Sequence, residues 1–481
     1  MRFRWHGRNS AGTAPAASPG AAGPGTAAPL PPLPPLPAGL PHVAYVLLWY
    51  PLFTQPFIFR EVEALRERLP LTVHTLYGRN LRHCSDEMRA RAGHARPYGM
   101  RAAPRICLEV LRQLFTHPVR LARLFRRSCW RPWHSWEVFG ENLWAFLAGV
   151  SLARQFREDG TDLVYAPWPR GAATAAWVAA SLADLPFATA ARGDNLDPAD
   201  PDLADKFAAA VLVRANNAAD QARIEAFGNG EARDKTALVY NGLTLPLPGP
   251  EVTDGEERFV PGPLRLLAVG RFDVTKGFDV LLRACALLKQ RGLDFRLTLA
   301  GGGGKVMGLG GMEEQLRHLR SELGLAHDVD MPGLVSHDEL PGLLAGHDIF
   351  LAPCVVHASG RRDGIPNTVI EAMAYGLPVV GTTVNALPEV IRDGETGLAV
   401  PPGDPEALAE AVLRLAADPA AARRMGRAGA ALAKEMFDAE ANADRLAGLL
   451  RKAHARWRAA HAPARTQTGA PADGGTDPCA A

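Results

Sequence analysis

Leu264-Arg-Leu-Leu-Ala-Val269 runs through Gly270-Arg-Phe-Asp-Val-Thr-Lys276-Gly277 into Phe278-Asp-Val-Leu-Leu-Arg-Ala-Cys-Ala-Leu-Leu-Lys289. A run of strand length that is apolar apart from Arg265, a short polar loop and a segment with apolar residues at helical spacing make a strand–loop–helix unit. Downstream the alternation continues. Strands are expected at Phe295–Ala300, Asp348–Ala352 and Pro378–Gly381, and helices at Met312–Leu323, Thr368–Ala374 and Pro405–Ala416. Upstream the same pattern occurs once more. Strands read at Val43–Leu48, Leu71–Leu76, Asp162–Tyr165, Pro186–Ala190, Ala209–Val213 and Thr236–Val239, and helices open at Pro56 and span Ala172–Leu182. Strands alternating with helices imply parallel βαβ units. The fold class is therefore α/β: two doubly wound, Rossmann-like parallel sheets in tandem, facing a cleft at the carboxyl ends of their strands, where ligands bind in this architecture.

The expected organisation is a Pro/Ala/Gly-rich disordered tail over 1–40, a first domain over 41–244, a linker over 245–262, a second domain over 263–432, a helix over 433–458 that packs back on the first domain, and a disordered tail over 459–481. Residues 1–40 hold nine Pro, nine Ala and six Gly, too little apolar surface to offset chain entropy. Arg2, Arg4 and Arg8 are followed by no unbroken apolar stretch, so no export signal is read and a cytoplasmic location is expected.

The chain has 481 residues, 47% hydrophobic and 22% charged, with 53 Lys+Arg against 51 Asp+Glu. That balance excludes a coiled coil, a collagen and a globally disordered chain, and gives no general drive toward nucleic acid. Cys84, Cys107, Cys129, Cys285, Cys354 and Cys479 lie far apart without metal-type spacing.

The loop Gly270–Gly277 delivers two cations to a helix start. Arg271, with a planar fork, and Lys276, as a point charge, suit a diphosphate. Gly302, within Gly301–Gly304, lets a ligand approach bare backbone. Asp363-Gly-Ile-Pro-Asn-Thr-Val-Ile-Glu371 sets one carboxylate on a loop and a second about one turn inside a helix, with Asn367 as the expected N-cap. Amides around Thr368 and Val369 can hold phosphate oxygens. Asp328-Val-Asp330 has a DxD pattern, but it precedes Met331-Pro-Gly333 in a strand-like stretch, so no metal site is expected.

The run from Asp363 to Gly376 resembles the E-x7-E signature of retaining glycosyltransferases of family 4, with Asp for the first Glu. Gly270-Arg271…Lys276-Gly277, Glu371-Ala-Met-Ala-Tyr-Gly-Leu-Pro-Val-Val380, Pro388-Glu-Val390 and Gly394-Glu-Thr-Gly-Leu-Ala-Val-Pro-Pro-Gly403 resemble it in order and spacing. Tyr50-Pro-Leu-Phe-Thr-Gln-Pro-Phe-Ile58 is similar to the opening of its colanic-acid and exopolysaccharide branch, and Val239-Tyr-Asn-Gly242 to its domain junction. The resemblance implies a GT-B fold and a UDP- or GDP-sugar donor as substrate, with no cofactor required. It gives Arg271 and Lys276 the diphosphate, Glu371 the ribose and Asp363 the donor sugar, with Gly364, Ile365 and Pro366 shaping the backbone. A saccharide or lipid-linked acceptor would enter from the first domain. Two first-domain histidines frequent in the family are missing, one of them replaced by Ala191; Arg192 and Asp194 are expected to substitute.

From Arg82 to Arg131 there are 12 Arg and three acids, with Trp130, Trp133 and Trp136 close by. Residues 82–136 read as a surface for an anionic membrane, or as paired helices with a solvated basic face divided at Pro118. The expected function is transfer of a sugar to an acceptor in cell-surface polysaccharide or glycolipid synthesis, at the inner face of the cytoplasmic membrane. A non-catalytic nucleotide-sugar-binding scaffold, or a GT-B phosphorylase or epimerase, are the alternatives.

Overall fold

The computed structural model describes residues 35–462 apart from 82–83, 100–101, 134, 193–195, 197–199, 244, 255–257 and 303–310. The tail expected over 1–40 therefore lies outside the described residues up to 34, as does the second tail from 463.

The first half runs β1 (Val43–Trp49), α1 (Pro56–Arg66), β2 (Leu71–Gly78), α2 (Asp86–Arg91), β3 (Ala95–Pro97), α3 (Ala103–Thr116), α4 (Pro118–Ser128), α5 (Trp136–Glu158), β4 (Leu163–Ala166), α6 (Gly171–Ala183), β5 (Phe187–Ala191), α7 (Leu203–Ala209), β6 (Leu212–Ala215), α8 (Ala218–Ala226) and β7 (Thr236–Leu238). Among the described residues its strands form one parallel sheet in the order β3-β2-β1-β4-β5-β6-β7. β1 and β4 are continuous apolar runs, as expected of central strands covered on both faces by helices. β4, β5 and β6 are buried throughout.

The second half runs α9 (Pro250–Asp254), β8 (Leu264–Val269), α10 (Phe278–Gln290), β9 (Phe295–Ala300), α11 (Met312–Glu322), β10 (Val329–Gly333), α12 (Leu340–Ala345), β11 (Ile349–Ala352), α13 (Asn367–Ala374), β12 (Val379–Thr382), β13 (Gly397–Val400), α14 (Pro405–Ala417), α15 (Pro419–Met436) and α16 (Ala439–His461). Its described strands form a second parallel sheet, β10-β9-β8-β11-β12-β13. α16 leaves this half and packs on α1, where Leu446, Ala447 and Leu450 join the cluster built by Val43, Tyr45 and Val62. Arg68 of the α1–β2 turn pairs with Glu440 and Asp444, both at 2.6 Å.

Three expectations are corrected. Ala209 ends α7, and the strand begins at Leu212; the apolar run Ala208–Val213 spans both, and periodicity cannot divide it. The helix expected over 433–458 is α16, Ala439–His461: residues 433–436 close α15, and α16 runs past 458 because Ala- and Arg-rich residues keep helical propensity without burial. Asn367 is the first helical residue of α13 rather than its cap, since Pro366 holds the cap position in extended geometry (φ −61°, ψ 134°). No side chain caps that helix start.

Candidate active site

The loop after β8 is shaped by its own side chains. Asp273 Oδ1 accepts from the Thr275 amide at 3.0 Å and from its hydroxyl at 2.9 Å. Burial raises the Asp273 carboxyl, but the Thr275 bonds and Arg361, paired at 2.9 Å, carry it below its ordinary value. Gly277 then turns into α10 at φ 64°, and a Cβ there would meet the Pro353 carbonyl oxygen at 2.0 Å. Only glycine fits both demands. This close approach, with the Val355 amide donating to Thr275 O at 2.9 Å, seats the loop against the segment that follows β11.

That contact brings the two predicted motifs together. Lys276 Nζ lies 3.1 Å from Asp363 Oδ2, and Thr275 Oγ1 reaches the same oxygen at 3.1 Å. Burial alone would push the Lys276 ammonium down, but Asp363 outweighs it and the lysine stays charged. Arg271 is half-buried beside it, with no ion pair among the described residues. The Gly302 carbonyl accepts from the Phe272 amide at 3.2 Å, which places Gly302 against the Arg271 loop; the rest of that glycine-rich loop, 303–310, is outside the described residues.

α13 points its uncapped start into the same region. Thr368 Oγ1 donates to Val269 O at 3.0 Å, fixing the helix to the end of β8. Val369 and Glu371 are buried, and Gly364, Ile365 and Pro366 are half-buried in the preceding loop. The Val369 and Ile370 amides turn back to Pro366 O at 3.0 and 3.4 Å, so of the amides expected to hold phosphate it is that of Thr368 that stays directed outward, at a helix start that beside two cations favours an anion. Asp328, of the DxD pattern, is held apart by Lys289 at 2.7 Å.

The first half closes the site from the other side. Asn217 caps α8 by accepting from the Asp220 amide at 2.7 Å, and a Cβ on Gly364 would meet Asn217 Nδ2 at 3.0 Å. Asn385 Nδ2 donates to the Asp363 carbonyl at 2.9 Å. Glu389 accepts from the Ala218 and Ala219 amides at 3.1 and 3.0 Å and from the Tyr240 hydroxyl at 2.8 Å. A carboxylate from the second half thus sits on a helix N-terminus of the first. Sequence reasoning quoted Pro388-Glu-Val390 and Val239-Tyr-Asn-Gly242 without assigning them these contacts, and it missed Thr275, Asn217 and Asn385.

Arg192 is buried, its guanidinium 5.0 Å from the Phe57 ring and 4.9 Å from the Trp168 ring. It donates to Asn241 Oδ1 at 2.7 Å, and Asn241 Nδ2 lies 3.4 Å from Asn367 Oδ1. Arg192 therefore reaches α13 through Asn241. Asp194 lies outside the described residues.

Residues 263–418 match the model of glycosyl transferases group 1. The putative colanic acid biosynthesis glycosyltransferase WcaL of Escherichia coli K12 is 38% identical over 155 residues, 32% of this chain and 36% of WcaL. The GDP-mannose-dependent alpha-(1-6)-phosphatidylinositol monomannoside mannosyltransferase of Mycolicibacterium smegmatis is 34% identical over 186 residues, 38% of this chain and 47% of that protein. The chain thus spans between a third and a half of the length of these curated relatives. The structure of Anabaena HepE in complex with UDP superposes with a TM-score of 0.62 at 17% identity, covering 85% of this chain and 100% of that one. Residues 263–418 are a glycosyl transferases group 1 domain, carried in a chain whose two facing parallel sheets have the GT-B fold.

Proposed function

We propose that the protein transfers a sugar, with retention, from a nucleotide sugar to a saccharide or lipid-linked acceptor in cell-surface polysaccharide or glycolipid synthesis. One observation carries this reading: Lys276, Asp363 and the uncapped start of α13 converge at the carboxyl ends of the second sheet. The donor diphosphate would take Lys276 from Asp363 and add Arg271 and the Thr368 amide, while Asp363, released from the lysine, accepts hydroxyls of the donor sugar and Glu371 those of the ribose. As the bond from the anomeric carbon to the diphosphate breaks, two fixed cations and the helix start balance the charge that develops on the leaving group. The acceptor hydroxyl gives its proton to that departing phosphate. Arg192 acts as a positioning residue through Asn241. The name of WcaL, which points to exopolysaccharide synthesis, and the UDP bound by HepE support the reading. Calorimetry against UDP-, GDP- and ADP-sugars tests it: one class is expected to bind in the micromolar range, and no binding by any would refute it.

The acceptor side adds a surface. α3 turns Glu109 and Gln113 inward and leaves Leu108 67%, Leu111 53% and Phe115 85% exposed, with Val119 and Trp130 of the following segment 70% and 76% exposed. Arg123 and Arg126, also exposed, have no ion pair among the described residues. An apolar outer face set among unpaired arginines suits an anionic bilayer at the inner face of the cytoplasmic membrane. Among the described residues no helix is long and apolar enough to cross a membrane. Flotation with phosphatidylglycerol vesicles is expected to recover the protein at low salt and to lose it in the Leu111→Ser, Phe115→Ser double variant; equal recovery of both proteins would refute the surface.

A further inference from the structure

The first sheet carries a second polar cluster on the carboxyl edge that also bears Asn217 and Asn241. Trp49 ends β1 and pairs in register with Gly78, the last residue of β2. Tyr77 precedes that glycine, and the Trp49 and Tyr77 rings stack with centroids 5.5 Å apart at 29°. Trp49 is 38% exposed, whereas Val43 to Leu47 of the same strand are buried and Leu48 partly so.

Glu141, near the start of α5, reaches the same edge. Its carboxylate lies against the backbone of Gly171, the first residue of α6. A Cβ on Gly171 would lie 2.8 Å from Glu141 Oε1 and 3.4 Å from Leu48 Cδ2, so the oxygen lies between the start of α6 and the end of β1. β2, β1 and β4 are adjacent in the sheet. The ring pair and the carboxylate therefore occupy neighbouring strand ends. Glu141 has no ion pair among the described residues, and the neighbouring Arg170 is committed to Asp200 at 3.3 Å. Burial pushes the Glu141 carboxyl up, with Arg170 opposing and Asp200 adding. Burial first, then the nearness of Glu141, pushes the Tyr77 phenol up to about 12.

The chemistry of this cluster selects among ligands. A phosphate would be repelled by Glu141. A lipid chain covering the rings would desolvate the carboxylate without giving it a partner, which is costly. A neutral pyranose does neither: its C–H face lies on the indole while a hydroxyl donates to the carboxylate. We infer that Trp49, Tyr77 and Glu141 form the subsite that receives the sugar ring of the acceptor, with Glu141 orienting one of its hydroxyls. The inference rests on the glycosyl-transfer reading and names the acceptor class at that site.

The test uses the full chain and three probes, the methyl α-pyranosides of glucose, mannose and galactose, observed by saturation-transfer NMR without any donor. UDP and GDP affinities are measured on the same samples by calorimetry. At least one pyranoside is expected to bind the wild-type protein. Trp49→Ala and Glu141→Gln should each weaken it about tenfold, Trp49→Phe should restore part of the loss, and nucleotide affinity should stay unchanged in all three. Glu141→Gln keeps an oxygen for the Gly171 amide, so a carboxylate that served only to hold α6 would show no change. Pyranoside binding that is equal in wild type and variants, or no binding of any of the three probes, overturns the subsite. Because the probes are read without donor, the two failures are distinguishable: absent nucleotide binding in the wild type would sink the transfer reading, and with it the role as acceptor subsite, while pyranoside binding lost in the variants would still mark Trp49 and Glu141 as a sugar site.

Discussion

Lys276→Ala is expected to lower turnover about 10²–10³-fold, the loss typical of removing one preorganised charge from a developing anion. Replacing Arg271 as well should abolish measurable nucleotide binding. The structure adds a condition that separates this from general damage. Lys276 is held by Asp363 at 3.1 Å, so a diphosphate must compete with that carboxylate. Asp363→Asn should therefore tighten UDP or GDP alone, by several-fold on the scale of one exposed-to-buried ion pair, while sugar transfer falls steeply. Calorimetry with the free nucleotide and turnover with the nucleotide sugar measure the two effects separately. If Asp363→Asn weakened the free nucleotide as much as Lys276→Ala does, the competition would be wrong and the two side chains would serve one ligand group together.

Glu61→Gln should cost about 3–5 kcal/mol of stability, the range for breaking a buried ion pair from one side. Glu61 has a side chain only 9% exposed and lies between Arg214, which bonds it directly, and Arg192 at 3.8 Å. Tyr45 donates to its other oxygen at 2.6 Å. Arg214 continues the network to Val239 O at 2.9 Å and Tyr240 O at 3.0 Å, so the exchange leaves two buried guanidinium groups without their anion. Burial would raise the Glu61 carboxyl, but Arg214 and then Arg192 carry it below its ordinary value. A carboxyl lowered in the folded state contributes stability that is present above its unfolded value and is lost as pH falls through the folded one. Thermal melts should show a drop of about 10 °C at neutral pH and a smaller gap between variant and wild type in acid. A melting temperature within a degree of wild type would refute the role.

The strands were legible because a parallel sheet buried on both faces writes a strand as a largely apolar run, unbroken at Val43–Leu48 and interrupted only by Arg265 at Leu264–Val269. α7 was not, because its last apolar turn merges with β6. The outward apolar face of α3 was hidden as well: a helix that buries Glu109 and Gln113 and exposes Leu111 and Phe115 has the same periodicity as one turned the other way, and only tertiary packing chooses. In the site, Lys276 and Asp363 were legible because each lies on a loop at a strand's carboxyl end. Their partners were not. Glu389 is 171 positions from Ala218, and no spacing rule reaches that far. Arg192 was expected at the ligand because a missing imidazole drew attention to its neighbour; its guanidinium lies between two aromatic rings and donates to Asn241, contacts that no local spacing encodes.

α16 has a consequence for the order of events during synthesis. The first half needs Leu446, Ala447 and Leu450 to complete the cluster around Val43 and Tyr45. A nascent chain carrying β1 to β7 thus leaves the ribosome with an uncovered apolar strip along α1, and it stays uncovered until the second half has been translated. Folding of the amino-terminal half is therefore finished from the carboxyl-terminal side, and the interval before α16 emerges is when the protein most needs a chaperone.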